Sequence, residues 1–284
     1  MAAALAASEP ALHDAHECGS AAVRMAGVEI RKVSKRFVHS RGVVEILRDI
    51  SLHVKEGEFV SLVGRSGCGK TTLLRIVGGF VRPDQGSVLV DDALVRGPGS
   101  DRGMLFQHPM LFPWLTVLDN ALFGPRAEGA CTAGTRQRAL EVLRIVGLAG
   151  FEFHYPKQLS GGMMHRAAFA RAMMVDPKIL LMDEPFGALD ALTRANMQQF
   201  LLDLWQRRHF TVVLVTHDVE EAVLLSDRVA VMASAPGEIV ETIPIPLPRP
   251  RIYEISESID FVALKRRVRQ AVERARDGAR VVPA

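Results

Sequence analysis

Three short runs concentrate the chain's capacity for chemistry. Gly64-Arg65-Ser66-Gly67-Cys68-Gly69-Lys70-Thr71 fits G-x-x-x-x-G-K-[ST]. Glycines at this spacing let successive backbone N–H groups wrap a polyphosphate without Cβ obstruction, and the helix that follows adds positive potential at its N-terminus. Lys70 is placed to reach the β- and γ-phosphates, Thr71 to complete the octahedral oxygen shell that Mg²⁺ prefers, and Thr72 to bond the α-phosphate. ATP with Mg²⁺ is the ligand pair these residues imply. Asp183-Glu184 closes the apolar run Ile179-Leu180-Leu181-Met182. A carboxylate there emerges at the C-terminal edge of a parallel sheet, so Asp183 is expected to hold Mg²⁺ through water. Glu184 points differently from its neighbour and is left to polarise an attacking water.

Two further polar residues end strand-like runs. His217 follows Thr211 to Thr216 directly, and Gln107 follows Gly103-Met104-Leu105-Phe106. At the same sheet edge the imidazole can bond a γ-phosphate, and the amide can contact Mg²⁺ and sense that phosphate. Singly, a histidine or glutamine after a strand carries little information. The phosphate-loop match alone would arise by chance in about one chain in a hundred of this length. The ordered set, with Leu159-Ser160-Gly161-Gly162 between its members, would not.

Composition sets the frame for these residues. A chain of 284 residues, 48% hydrophobic and 24% charged, can hold one large α/β domain with appendages. Lys and Arg number 35 against 32 Asp and Glu, and a net charge of +3 is too small to imply a nucleic-acid partner. Cys18, Cys68 and Cys131 have no paired spacing, and a disulfide at Cys68 would obstruct the phosphate loop, so a reducing compartment is expected. No run approaches the roughly 20 apolar residues of a membrane helix. Residues 1–26 read as a flexible tail, in which His13, His16 and Cys18 form no second cluster and are assigned no metal.

The elements that must position the motifs follow from periodicity. Alternation from Val28 to Val54 predicts half-exposed antiparallel strands, and Glu58 to Val63 predicts a strand feeding the phosphate loop. Between Pro109 and Met174 the pattern turns helical, with Ala139, Val142, Leu143 and Val146 on one face. Strands return at Lys178 to Asp183 and Thr211 to Thr216, flanking a helix with Met197, Phe200, Leu201, Leu204 and Trp205 on one face, and this alternation implies a parallel sheet. Pro244, Pro246, Pro248 and Pro250 exclude a helix or central strand from Ile243 to Arg251 and mark an extended linker. Leu264, Val268 and Val272 predict a basic amphipathic helix after it, docked on its own domain or lying on a membrane surface, the former favoured.

As a set these residues resemble the nucleotide-binding subunit of ABC transporters over about residues 28–245: phosphate loop at 64–71, Q-loop at Gln107, signature at 159–162, Walker B at 179–184, D-loop Ala188-Leu189-Asp190 and switch His217. The resemblance implies a P-loop NTPase core of the ABC type. Its sheet is mostly parallel, with an N-terminal antiparallel β subdomain and an inserted α-helical subdomain. The expected bounds are a tail at 1–26, an ATPase domain at 27–245 with the helical subdomain at about 108–174, and a Pro-rich linker and C-terminal helix at 246–284. It also implies a head-to-tail homodimer in which Ser160, Gly161 and Gly162 close in trans on ATP held by the partner's phosphate loop, with Asp190 nearby. Phe37 stands where an aromatic stacks on adenine, and a ring face alone makes base recognition weak.

Finer features narrow the resemblance. Asp101-Arg102-Gly103, Phe112 to Asn120, Phe186 to Arg194 and the Pro-rich Ile243 to Arg251 are similar to the nitrate/sulfonate/taurine importer branch. That branch implies a peripheral ATPase on the cytoplasmic face of the inner membrane, working with a separate permease and an external binding protein. The region Gln107 to Trp114 then lies against a permease helix, the alternative being that Phe112 and Trp114 are core. Met164 and His165 depart from the usual polar or basic pair and leave the trans contact to ribose open. A soluble ABC ATPase or an exporter subunit are the rival readings, and the transported substrate is not encoded here.

Overall fold

The computed structural model describes residues 27–39, 42–187 and 189–277. The expected tail, with His13, His16 and Cys18, lies outside these residues, as does Ala188. In chain order, β1 (Val28–His39) and β2 (Gly42–Val54) precede β3 (Phe59–Gly64), which enters the phosphate loop, and α1 (Lys70–Val77), which leaves it. Then come β4 (Gln85–Val90), β5 (Ala93–Leu94) and β6 (Arg102–Leu105), followed by α2 (Val117–Ala121), α3 (Phe123–Ala127), α4 (Ala133–Ile145) and α5 (Gly161–Met173). Strands and helices alternate through β7 (Ile179–Asp183), α6 (Ala191–Arg208), β8 (Thr211–Thr216), α7 (Val219–Leu225) and β9 (Arg228–Met232), ending with β10 (Ile239–Pro244) and α8 (Ile259–Asp277).

Two sheets carry the fold. β2-β1-β4-β5 is antiparallel throughout, and β10-β9-β3-β8-β7-β6 is parallel except for its β10 edge. The central strands β3, β7 and β8 are buried at every residue, because both faces are covered. Alternation within them assigns each face. Val213 and Val215 join Val60, Leu62, Leu181 and the apolar residues of α1 against the antiparallel sheet, whereas Val212 and Leu214 join Phe59, Leu180 and the remaining helices. Each such aliphatic side chain, removed from water, contributes about 1.5–3 kcal/mol. The same registry brings the C-terminal ends of β3, β7 and β8 to one edge, where the polar residues follow.

The Pro-rich segment differs from the expected linker. Ile243 and Pro244 belong to β10, paired antiparallel with β9, and the chain beyond remains extended but packed. Ile243, Ile245, Leu247 and Arg251 are buried while Pro244, Pro246, Pro248 and Pro250 face outward. Prolines lack a donor, so an edge ribbon with every second residue turned to solvent accepts them without losing ladder bonds. The C-terminal helix α8 docks on the same side, burying Phe261, Val268 and Ala271 with Leu264 and Val272 partly covered.

Candidate active site

β3 ends at Gly64 and α1 begins at Lys70, so the phosphate loop spans the gap between a buried strand and a helix N-terminus. Gly69 has φ 97°, and a Cβ there would lie 2.6 Å from Leu47 Cδ2 and 3.1 Å from the Ile46 carbonyl. Only glycine meets both demands at this point. The Gly237 turn backs the same wall, donating to the Ile46 carbonyl at 2.9 Å and accepting from Arg48 N–H at 3.0 Å. Arg65, Ser66 and Gly67 form the exposed crest of the loop, and burial pushes the Cys68 thiol up beneath it.

Lys70 is buried, and its ammonium donates to the Gly64 carbonyl at 2.8 Å and the Arg65 carbonyl at 3.0 Å. A longer contact to Cys68 Sγ at 3.9 Å takes the third donor, so all three hold the ammonium within the loop. Thr71 donates to Asp183 Oδ1 at 2.8 Å, tying the start of α1 to the end of β7 across 112 positions. Burial raises the Asp183 carboxyl above the usual carboxylate range, against the Thr71 bond, which lowers it. Thr72 stands next on α1, half-buried.

Glu184 follows β7 with φ 47°, a left-handed conformation uncommon for a non-glycine residue, and its N–H donates to the Val215 carbonyl at 2.9 Å. That bond fixes it to β8, which His217 follows directly. His217 Nδ1 lies 3.0 Å from Glu184 Oε2. Thr71 with Asp183 and Glu184 with His217 thus form two short contacts along one sheet edge, with Lys70 preceding Thr71 at the start of α1. Gln107, two residues past β6, has an exposed side chain, and among the described residues no hydrogen bond joins it to Thr71 or Asp183.

The signature residues lie elsewhere in the fold. Ser160 caps α5, accepting from Met163 N–H at 3.3 Å, and a Cβ on Gly162 would lie 2.9 Å from Thr193 Cγ2 on α6. Asp190 caps α6 in turn, accepting from Thr193 N–H at 3.0 Å, and hydrogen bonding by Thr193 holds its carboxyl below the usual range. Ser160, Gly161 and Gly162 therefore group with Asp190 and not, within one chain, with the phosphate loop. Phe37 on β1 is half-buried, with Lys35 Nζ 5.3 Å from its ring centroid.

The 110–116 loop hangs on Asn120. Its fully buried amide accepts from Phe112 N–H at 2.8 Å and donates to the carbonyls of Phe112, Leu115 and Thr116. Phe112 is half-buried against Phe123 and Arg171, whereas Trp114 is 70% exposed and Met110 62%. Asp218, Glu221 and Arg194, which surround the Glu184 and His217 pair, were not singled out by spacing. An Asp directly before a helical run is an N-cap signal that marks the first of them.

A family model described as ABC transporter matches residues 47–187. The nitrate import ATP-binding protein NrtD of Synechocystis sp. is 46% identical over 240 residues, covering 82% of this chain and 90% of that protein. The chain belongs to the ABC transporter ATP-binding family. This cassette is also 49% identical to the taurine import ATP-binding protein TauB of Burkholderia pseudomallei, over 76% of its own length and 83% of that protein. The aliphatic sulfonates import ATP-binding protein SsuB of Bacillus cereus is 42% identical, with coverage of 87% and 96%. Among solved structures, the dimeric bacterial ABC transporter cassette MJ0796 superposes with a TM-score of 0.71 at 34% identity, covering 78% of this chain and all of that one. Its ADP- and phosphate-bound post-hydrolysis form gives 0.69. The cassette is an ATPase of that family, with the mostly parallel core, antiparallel sheet and helical insert its sequence implied. Among the described residues no helix is long and apolar enough to cross a membrane.

Proposed function

We propose that the cassette is the ATP-hydrolysing subunit of an importer for a small oxyanion or sulfonate, acting as a homodimer with a separate permease. One observation carries the catalytic part: Thr71 bonded to Asp183 and Glu184 bonded to His217 stand side by side at one sheet edge. The loop at Gly64, Arg65, Ser66, Gly67, Cys68 and Gly69 cradles the triphosphate with Lys70 on its β- and γ-phosphates and Thr72 on the α-phosphate. The hydroxyl and carboxylate oxygens of Thr71 and Asp183 form an all-oxygen donor pair that suits Mg²⁺, and Gln107, exposed just past β6, supplies an amide oxygen to it. Bound there, the cation neutralises phosphate charge. Glu184 orients and deprotonates the attacking water, and His217 holds that carboxylate in place and contacts the γ-phosphate.

The remaining roles require a second copy. Ser160, Gly161 and Gly162, at a capped helix N-terminus away from their own phosphate loop, supply an anion-binding site to the ATP of the partner, with Asp190 beside them. Phe37 stands outside this trans set and stacks on the adenine. Met110 and Trp114, exposed on a loop that Asn120 holds in shape, form the surface on which a permease helix docks. Names of relatives that carry nitrate, taurine and aliphatic sulfonates support the substrate class. The work is done at the cytoplasmic face of the inner membrane, and substrate arrives through an external binding protein.

Affinity purification of the chain from gently solubilised native membranes, with mass spectrometry of its companions, tests this reading. A multi-helix permease together with a secreted binding protein is the expected recovery. Soluble or ribosomal companions alone would overturn the transport reading and leave the ATPase standing.

A further inference from the structure

Among the described residues only two carboxylates are buried, Asp183 and Glu221. The first belongs to the proposed Mg²⁺ site, and the second has no part in the chemistry above. Glu221 is the third residue of α7, 4% exposed, in a position where a helix could as well turn an apolar side chain to the core. Burying a carboxylate is costly, and an aliphatic residue of similar size would fill the space without that cost.

Its partners lead to the switch residue. Gln198 on α6, itself 5% exposed, donates through Nε2 to Glu221 Oε1 at 3.0 Å. The buried Thr216 hydroxyl donates to the same carboxylate. That hydroxyl also accepts from Asp218 N–H at 3.0 Å. Thr216 and Asp218 are the residues on either side of His217, so one hydroxyl, held by Glu221, ties both flanks of the imidazole. Asp218 Oδ1 closes the turn by accepting from Glu220 N–H at 2.8 Å and Glu221 N–H at 3.3 Å.

The other side of this cluster faces Glu184. A small cavity of about 40 Å³ is lined by Glu184 and His217 on one side and by Arg194, Asp218 and Glu221 on the other, room enough for an ordered water. Arg194 reaches it from α6, with Nη1 4.0 Å from Asp218 Oδ2 and Nη2 donating to the Leu189 carbonyl at 3.0 Å. Its Nε is buried with no partner among the described residues, a donor that a water in the cavity would satisfy.

We propose that Glu221 is a positioning residue for His217: anchored to α6 through Gln198 and bonded to the Thr216 hydroxyl, its carboxylate sets the backbone from which the imidazole meets Glu184. This rests on the ATPase reading of Glu184 and His217 given above. Glu221 touches neither nucleotide nor water in the reaction. It acts by holding the strand-to-helix turn.

The test compares turnover and nucleotide affinity of the full-length chain with Mg·ATP, expressed as ratios to wild type. Wild-type turnover, measured first, tests the ATPase reading by itself. Glu221→Ala is expected to lower kcat about 10- to 100-fold with the nucleotide Kd unchanged within about twofold, and Glu221→Gln to recover most of that loss. The double variant Glu221→Ala/His217→Ala should turn over no slower than His217→Ala alone, since a positioning residue has nothing left to position. Thr216→Val, which removes only the connecting hydroxyl and is nearly isosteric, should lower kcat in the same manner and carries the test should Glu221→Ala fail to fold. Wild-type turnover in Thr216→Val, a Kd that weakens in step with kcat, or a full Glu221→Ala loss on the His217→Ala background would each overturn the proposal.

Discussion

His217 Nδ1 lies 3.0 Å from Glu184 Oε2, joining the residue after β8 to the residue after β7 across 33 positions of chain. The contact engages one carboxylate oxygen and leaves the second for a water. The orientation of the Glu184 carboxylate is thus set by a neighbour, and its conformation by the left-handed backbone at Glu184.

Glu184→Gln keeps an oxygen for the contact with His217 and removes the proposed base. Hydrolysis is expected to slow by about 10² to 10⁴, roughly 3 to 5 kcal/mol in the barrier, while ATP binding and dimer closure persist. Single-turnover phosphate release measured beside nucleotide binding checks both halves. Near-normal release from the variant would remove Glu184 from the catalytic role.

The bond from Thr71 to Asp183 at 2.8 Å makes a second separable prediction. Asp183→Asn removes an anionic oxygen from the proposed cation site without changing side-chain volume. The Mg²⁺ concentration for half-maximal turnover is expected to rise at least about tenfold, and chelating Mg²⁺ should silence the wild type. A Mg²⁺ titration that does not move with the substitution would place the cation elsewhere.

Glu221 supplies a pH dependence whose sign can be worked out. Burial pushes its carboxyl from 4.5 up to about 7, against hydrogen bonds from Thr216 and Gln198. The folded chain therefore binds this proton more tightly than the unfolded one. That contribution is fully present below the unfolded value and is lost as pH rises through about 7. Glu221→Gln cannot titrate. Its stability relative to wild type should improve between pH 5 and pH 8, by about 3 kcal/mol at most. Thermal unfolding of the two chains at both pH values measures this, and a difference that stays flat with pH would mean that Glu221 is ionised throughout.

How much of this was legible in the sequence depends on what each residue's role rests on. Lys70, Thr71, Asp183 and Glu184 are fixed by local rules: a loop of glycines between strand and helix, and carboxylates at the end of an apolar strand. The structure adds that Thr71 and Asp183 meet, which follows from β3 and β7 each lying beside β8 in parallel register. Arg194 and Glu221 were not legible, because their importance lies in contacts between two helices that the one-dimensional pattern does not align. Glu221 reads as one more charge in the first turn of α7, where acidic residues are ordinary. The Pro-rich segment was legible only in part. Prolines at every second position marked an extended chain, and the apolar residues between them held the further sign that one side is buried.

Arg251 shows what that buried side does. It is 2% exposed, and its guanidinium donates to the carbonyls of Val223, Leu224 and Ser226 at the end of α7 and of Ile245 and Leu247 on the ribbon. Burial lowers its pKa to about 10, so it remains charged near neutral pH. The last carbonyls of a helix have no partner within it, and a cation there also meets the negative end of the helix dipole. Arg249 repeats the device nearby, donating to the Leu225 carbonyl at 2.8 Å with its guanidinium 4.0 Å from the Trp205 ring centroid. Arg251→Met keeps the apolar stem and strands the five carbonyls, at a cost of about 3 kcal/mol or more. Arg251→Lys retains the charge but only three donors, and should fall between. Urea unfolding should show the midpoint dropping in the order wild type, Lys, Met with an unchanged slope. A loss below about 1 kcal/mol in the Met variant would show that the ribbon is held by Ile243, Ile245 and Leu247 and not by the arginine.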